Sequence, residues 1–206
     1  GALADALGAP AEPALVQAAT SVPWEPGKLN SANIGAVLAE LLPADAIVSD
    51  ESATSGGAAY GMCGGAAQHD WMQLTGGAIG QGLPLAVGAA VACPDRKVIA
   101  LQADGGGMYT LQALWTMARE RLPVVMLIAS NKRYGILQTE LDRIGLARVG
   151  PQAQRLTVLD DPAFDRMALA HGYGVAAQRV STIHQLRDAL AIAADLNDDS
   201  PHLIDM

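Results

Sequence analysis

KVIALQADGGGMYT, residues 97–110, and LPVVMLIASN, residues 122–131, decide the fold. Each opens on a nearly continuous apolar run too short for a helix of ordinary length, the mark of a strand buried on both faces. Between them, Tyr109–Arg119 sets Leu111, Leu114, Trp115 and Ala118 on one helical face. The three pieces read as a strand, a helix and a parallel strand. Each apolar run ends on a polar residue, Asp104 in the first and Asn131 in the second, 27 positions apart.

The same alternation runs along the chain. Asn30 or Ser31 caps a helix that reaches about Leu42 and stops at Pro43. AIVSD (46–50) and WMQL (71–74) read as short strands, with ESATSGGAAYG between them as a loop or weak helix. TGGAIGQGLP turns into AVGAAVAC, a small-residue helix able to lie close against a sheet or a partner chain. Residues 159–172 are expected to form a helix from an acidic cap, with Phe164, Met167, Ala168 and Ala170 at helical spacing. VAAQRV (175–180), a Ser-capped helix over 181–196 and PHLIDM (201–206) complete the pattern. The expected fold class is α/β: three layers, with a mostly parallel central sheet and helices on both faces. Residues 1–30 carry prolines and little pattern and read as a linker or surface arm, leaving 31–206 as the folded domain.

Composition narrows the function. A formal charge of −8 without any Lys/Arg cluster argues against nucleic acid and against an anionic membrane surface. The apolar stretch 76–93 is too short and too rich in glycine for a comfortable membrane span. His69, His171, His184 and His202 lack zinc spacing. Cys63 and Cys93 form no C-x-x-C pair and read as core or semi-buried thiols in a reducing compartment, hence a cytoplasmic protein. A G-x-G-x-x-G turn and a G-x-x-x-x-G-K-[ST] loop are both missing, which removes the standard dinucleotide and nucleoside-triphosphate signatures.

In open parallel sheets, ligands bind beyond the carboxyl ends of the strands. Asp104 and Asn131 stand at two such ends and share one crevice if their strands are neighbours. A carboxylate with amide and main-chain oxygens is a hard ligand set, suited to magnesium or calcium. Gly105, Gly106 and Gly107 offer backbone N–H groups at a helix start, which suits a phosphate. Together these residues describe a metal bridging protein oxygens to a diphosphate.

ADG at 103–105 and SN at 130–131 resemble the diphosphate-binding motif of thiamine-diphosphate enzymes, usually GDG followed some 25 residues later by NN. Ala103 and Ser130 depart from that pattern. The resemblance implies Mg²⁺ held by Asp104, the Asn131 side chain and the main-chain carbonyl of Arg133. TGGAIGQGLPLAVGAA (75–90) is similar to the family segment that holds the aminopyrimidine ring. It implies that Ile79 is the apolar wedge under the thiazolium ring, that the carbonyl of Gly77 accepts from the 4′-amino group, and that Ala78 lies against the cofactor.

The likeness extends over residues 31–206, and DESATSGG, NKRYGIL and FDRMALAHGYGV look closest to benzoylformate decarboxylase and acetolactate-synthase-like relatives. Ser52 and Thr54 would approach the diphosphate, and Tyr134, Gly135, Ile136 and Leu137 would line the cofactor and substrate side. The implied activity is decarboxylation of a 2-keto acid with ligation to a second carbonyl, or decarboxylation alone. A non-catalytic scaffold or regulatory relative and a plain α/β phosphate-binding protein of another family are the remaining alternatives. The resemblance also implies a separate N-terminal pyrimidine-binding domain that supplies a glutamate, a role not given to Glu51. It further implies a homodimer or homotetramer, an inactive isolated domain, and FAD, if any, outside these residues.

Overall fold

The computed structural model describes residues 2–12, 15–145 and 150–206. The two deciding runs form β3 (Val98–Ala103) and β4 (Val124–Ala129), and they pair in parallel from Val98↔Val124 to Ala103↔Ala129. β1 (Ala46–Glu51), β2 (His69–Gln73), β5 (Ala176–Arg179) and β6 (His202–Asp205) complete a six-stranded sheet in the order β2-β1-β3-β4-β6-β5. Every pairing in it is parallel.

Side chains alternate across the pleat, so each central strand feeds two cores. Ile99, Leu101, Val125 and Leu127 face one side. They meet Val37 and Leu38 of α2 (Ser31–Leu41), Ala59 of α3 (Gly56–Cys63) and Ile183, Leu186 and Leu190 of α10 (Ile183–Ala193). Val98, Ala100, Val124, Met126 and Ile128 face the other side. There they meet Leu83, Ala86 and Ala90 of α4 (Gly82–Ala92), Leu114 and Met117 of α6 (Ala113–Arg119), and Ala170 of α9 (Arg166–Gly172). This is the three-layer α/β arrangement. Burial of each large side chain contributes about 1.5–3 kcal/mol. Burial also pushes the Cys63 thiol up to about 12, as suits a core cysteine.

Helix boundaries follow their caps. Asn30 accepts from the Asn33 N–H at 2.9 Å and starts α2. α10 is capped by Thr182, with Gln185 closing a capping box, and not by Ser181. The segment 159–172 is helical only from Arg166, because Asp165 accepts from the N–H groups of Met167 and Ala168 and sets the start there. Of its expected apolar face only Ala170 is buried within the helix, beside Arg166. α6 begins at Ala113, later than expected, and Trp115 is 51% exposed with Arg119 stacked 4.7 Å over its ring. Helical periodicity placed Trp115 with Leu114, but no described element buries that side of the helix.

The remaining helices are short: α1 (Ala2–Ala6), α5 (Asp104–Gly107), α7 (Gly135–Arg143) and α8 (Pro151–Arg155). Residues 15–23 run largely exposed along the surface, and Trp24 docks by donating from Nε1 to Glu40 at 2.6 Å. No described helix is long and apolar enough to cross a membrane.

The chain leaves β1 for β2 on one side and returns to β3 on the other. The order of the sheet therefore reverses between β1 and β3, and a crevice opens beyond their carboxyl ends.

Candidate functional site

A cavity of about 490 Å³ occupies that crevice. Its floor is the carboxyl ends of three adjacent strands: Glu51 from β1, Asp104 just after β3, and Ser130 and Asn131 after β4. The condition attached to the pair Asp104 and Asn131 is met, since β3 and β4 are neighbours and in register to their last residues.

Asp104 is buried and fixed from three sides. Oδ1 accepts from its neighbour Gly105 N–H at 2.9 Å, and Oδ2 accepts from Lys132 N–H at 2.6 Å and from Ser130 Oγ at 3.3 Å. Lys132 reaches it from a left-handed backbone conformation, φ 57°, which costs a non-glycine residue about 1 kcal/mol. Ser130 in turn accepts from Arg166 Nη2 at 2.6 Å. Arg166 Nε donates to Asp205 at 2.7 Å, and Asp205 also accepts from Arg179 at 2.8 Å. The carboxylate of Asp104 thus ends a polar chain running through the buried Arg166–Asp205 pair.

Asn131 is exposed at the mouth, where Oδ1 accepts from Arg133 N–H at 3.0 Å. The carbonyl of Arg133 accepts from Gly135 N–H at 2.9 Å. A Cβ on Gly135 would lie 2.9 Å from Asn131 Nδ2, so glycine keeps this turn closed on the amide. Asp104, Asn131 and Arg133 all line the cavity, offering a carboxylate, an amide oxygen and a main-chain carbonyl. That set is hard and oxygen-only, and it fits a magnesium ion. No group of three or more His, Cys, Asp or Glu side chains lies together among the described residues.

The glycines of DGGG have a packing reason that sequence alone does not reveal. A Cβ on Gly105 would meet the Tyr134 ring at 2.6 Å, and one on Gly106 would meet Glu51 Oε1 at 2.7 Å. Gly105 and Gly106 line the cavity, whereas Gly107 is buried away from it against Gln102. Of the three amides expected to cradle a phosphate, that of Gly105 is already given to Asp104.

Ser52, Thr54, Tyr134, Gly135, Ile136 and Leu137 all line the cavity. Ser52 is buried with its hydroxyl on Asp50 Oδ1 at 2.5 Å, so it shapes the wall through that bond. Ile79 lines the same space and is 50% exposed. Gly77 and Ala78 are exposed and stand outside the cavity lining. The Gly77 carbonyl accepts from Ile79 N–H at 3.0 Å, closing a tight turn.

Sequence reading denied Glu51 the role of the pyrimidine-domain glutamate and gave Glu51 no other. It is 2% exposed, and its two carboxylate oxygens accept from the N–H groups of Gly80 and Gly82. The available signal was an acidic residue ending a strand otherwise buried, in a fold that binds at strand ends. Arg166, and the bonds of Ser130 to Asp104 and Arg166, were missed as well, since these partners are distant in sequence.

The family description "Thiamine pyrophosphate enzyme, C-terminal TPP binding domain" matches residues 57–206. The chain is 46% identical over its whole length to the protein named "Putative acetolactate synthase large subunit IlvX" of Mycobacterium tuberculosis, of which it covers 39%. It is 37% identical over 173 residues to benzoylformate decarboxylase of Pseudomonas aeruginosa, covering 83% of this chain and 31% of that one. A solved thiamine-diphosphate-dependent 4-hydroxybenzoylformate decarboxylase from Rhodococcus jostii RHA1 superposes with a TM-score of 0.76 at 32% identity, over 94% of this chain and 35% of its own. The chain therefore spans well under half the length of the relatives it matches.

Proposed function

Because this chain belongs to the thiamine pyrophosphate enzymes and carries their C-terminal cofactor-binding domain, we propose that its cavity holds the magnesium–diphosphate half of thiamine diphosphate. The observation that carries the reading is the buried Asp104 carboxylate beside Asn131 at the ends of two adjacent strands. Asp104, the Asn131 amide oxygen and the Arg133 carbonyl would hold Mg²⁺, the last two after exchanging their present N–H partners for the ion. Gly105 and Gly106 leave room for the phosphates to approach the helix start. Ile79 stands at the cavity as an apolar support for the ring system, and the Gly77 carbonyl would accept from the 4′-amino group after giving up the Ile79 N–H.

When bound, thiamine diphosphate supplies the nucleophilic carbon and the electron sink needed to cleave a 2-keto acid between its carbonyl and carboxyl carbons. The chain contributes orientation and exclusion of water. Ile79, Ile136 and Leu137 make one wall apolar, which strengthens charge interactions near the reacting carbons. The buried Asp104–Ser130–Arg166 chain keeps the metal ligand from reorganising when the ion arrives. A pyrimidine-binding domain and a second subunit would cover the exposed apolar rim.

The reaction is decarboxylation followed by ligation to a second carbonyl, in line with the similarity to an acetolactate synthase large subunit. Simple decarboxylation is the second reading, favoured by the structural likeness to a decarboxylase at a TM-score of 0.76. The test gives full-length protein Mg²⁺, thiamine diphosphate and, in turn, pyruvate and benzoylformate, with product analysis. Carbon dioxide with a ligated hydroxyketone supports the first reading, and carbon dioxide with free aldehyde alone supports the second. Absence of turnover that persists across 2-keto acids contradicts both and favours a non-catalytic scaffold.

A further inference from the structure

Ile79 belongs to neither of the two hydrophobic cores among the described residues. Half its surface is open, and the turn that carries it is built from residues with little steric preference: Gly76, Gly77 and Gly80 all have positive φ, 63°, 68° and 92°. A glycine-rich turn loses the most conformational entropy on ordering. Something must therefore fix it, and two side chains from other elements do.

Glu51, at the end of β1, accepts from the N–H groups of Gly80 and Gly82. Thr110 Oγ1 donates to the Gly80 carbonyl at 2.9 Å. Gly80 is therefore gripped at both its polar backbone atoms, one residue beyond Ile79. The fit around it is close, since a Cβ on Gly80 would sit 2.9 Å from Tyr109 Cβ and one on Gly82 would sit 2.7 Å from Glu51 Cβ. Gln102 of β3, paired with Glu51 of β1, brings its amide against Gly82, with Oε1 buried and without a hydrogen-bond partner among the described residues. A buried carboxylate spent on main-chain N–H groups is costly to desolvate, so its placement needs a reason beyond core stability.

We infer that Glu51 and Thr110 form a clamp that positions Ile79 against the cavity, making both of them positioning residues for the ring half of the cofactor. This rests on the proposed cofactor reading. Glu51→Gln keeps the shape but leaves one glycine N–H facing an amide NH₂ in place of an oxygen. Thr110→Val keeps the volume and removes the donor, and Thr110→Ser restores it.

The test compares affinities of the purified protein for Mg²⁺–thiamine diphosphate and for Mg²⁺ with inorganic diphosphate. The second probe touches only the Asp104 side of the cavity. Glu51→Gln and Thr110→Val are expected to weaken thiamine diphosphate by roughly tenfold or more, to change inorganic diphosphate less than about twofold, and Thr110→Ser is expected to behave like the parent. Amide hydrogen exchange gives a ligand-free reading, with Gly80 and Gly82 protected in the parent and at least one of the two fast in Glu51→Gln. Equal loss of both ligands in the variants, or loss of neither, overturns the positioning role. Unchanged exchange at the two glycines overturns the clamp itself. Parent protein with no preference for thiamine diphosphate over diphosphate contradicts the cofactor reading and removes the role with it, while exchange still decides the clamp.

Discussion

Replacing Arg166 by methionine removes the centre of the polar chain beneath the site, and the cost can be worked from its contacts. Arg166 is 9% exposed in its side chain and bonds both Asp205 at 2.7 Å and Ser130 at 2.6 Å, with Phe164 stacked 5.0 Å away. Breaking a buried ion pair by removing one partner costs about 3–5 kcal/mol. Asp205 retains Arg179, whose side chain is 58% exposed, so the stranded charge is partly compensated. That brings the charge cost down to roughly 2 kcal/mol, and the lost Ser130 bond adds about 1 kcal/mol. Methionine fills part of the space and gives back about 1 kcal/mol through apolar burial. The net destabilisation is about 2 kcal/mol, read by urea unfolding. Arg179→Met is the control and costs less than about 1 kcal/mol, because an exposed partner contributes little. Equal shifts for the two variants, or a change under about 0.5 kcal/mol in Arg166→Met, would refute the reasoning.

Two further perturbations test other parts of the account. Gly105→Ala brings a methyl group to 2.6 Å from the Tyr134 ring, and the displaced ring costs about 1–2 kcal/mol after allowing for the better helix propensity of alanine. Adding Tyr134→Ala recovers most of that loss in a double-mutant cycle by thermal unfolding, and additive effects would show that the two do not touch. The Asp198 carboxyl is held down at about 2, first by the Ser200 hydroxyl and then by the Ser200 N–H and His202. Its depressed value contributes stability above its ordinary value of 3.8, and this is lost as pH falls through about 2. The stability gap between parent and Asp198→Asn, about 1 kcal/mol at pH 5 after solvent screening, therefore closes between pH 4 and 2. A gap that stays constant over that range contradicts the assignment.

What the sequence made legible was whatever depended on neighbours along the chain. β3 and β4 were readable because strands buried on both faces are apolar throughout, and Asp104 and Asn131 were readable because a polar residue closing such a run must face the crevice. Trp115 was misread for a related reason: period places a side chain on a face, but only packing decides whether anything covers that face. The late start of α9 depended on which of several acidic residues supplied the cap, and Asp165 won by reaching two N–H groups. Contacts between distant segments left no trace. Glu51 meets Gly80 and Gly82 from 29 and 31 residues away, and Ser130 meets Arg166 across 36. The glycines at 105 and 106 looked like a phosphate cradle, and the structure adds that Tyr134 and Glu51 leave no room for side chains there.

The central claim is that Asp104 and Asn131 hold a metal for a diphosphate, and calorimetric titration of the purified protein with thiamine diphosphate tests it most directly. The titration is run with and without Mg²⁺, on the parent and on Asp104→Ala. The account predicts binding that needs the metal and falls at least about 100-fold in Asp104→Ala, in keeping with loss of the only carboxylate ligand. Binding of equal strength without Mg²⁺, or undiminished in Asp104→Ala, would contradict it.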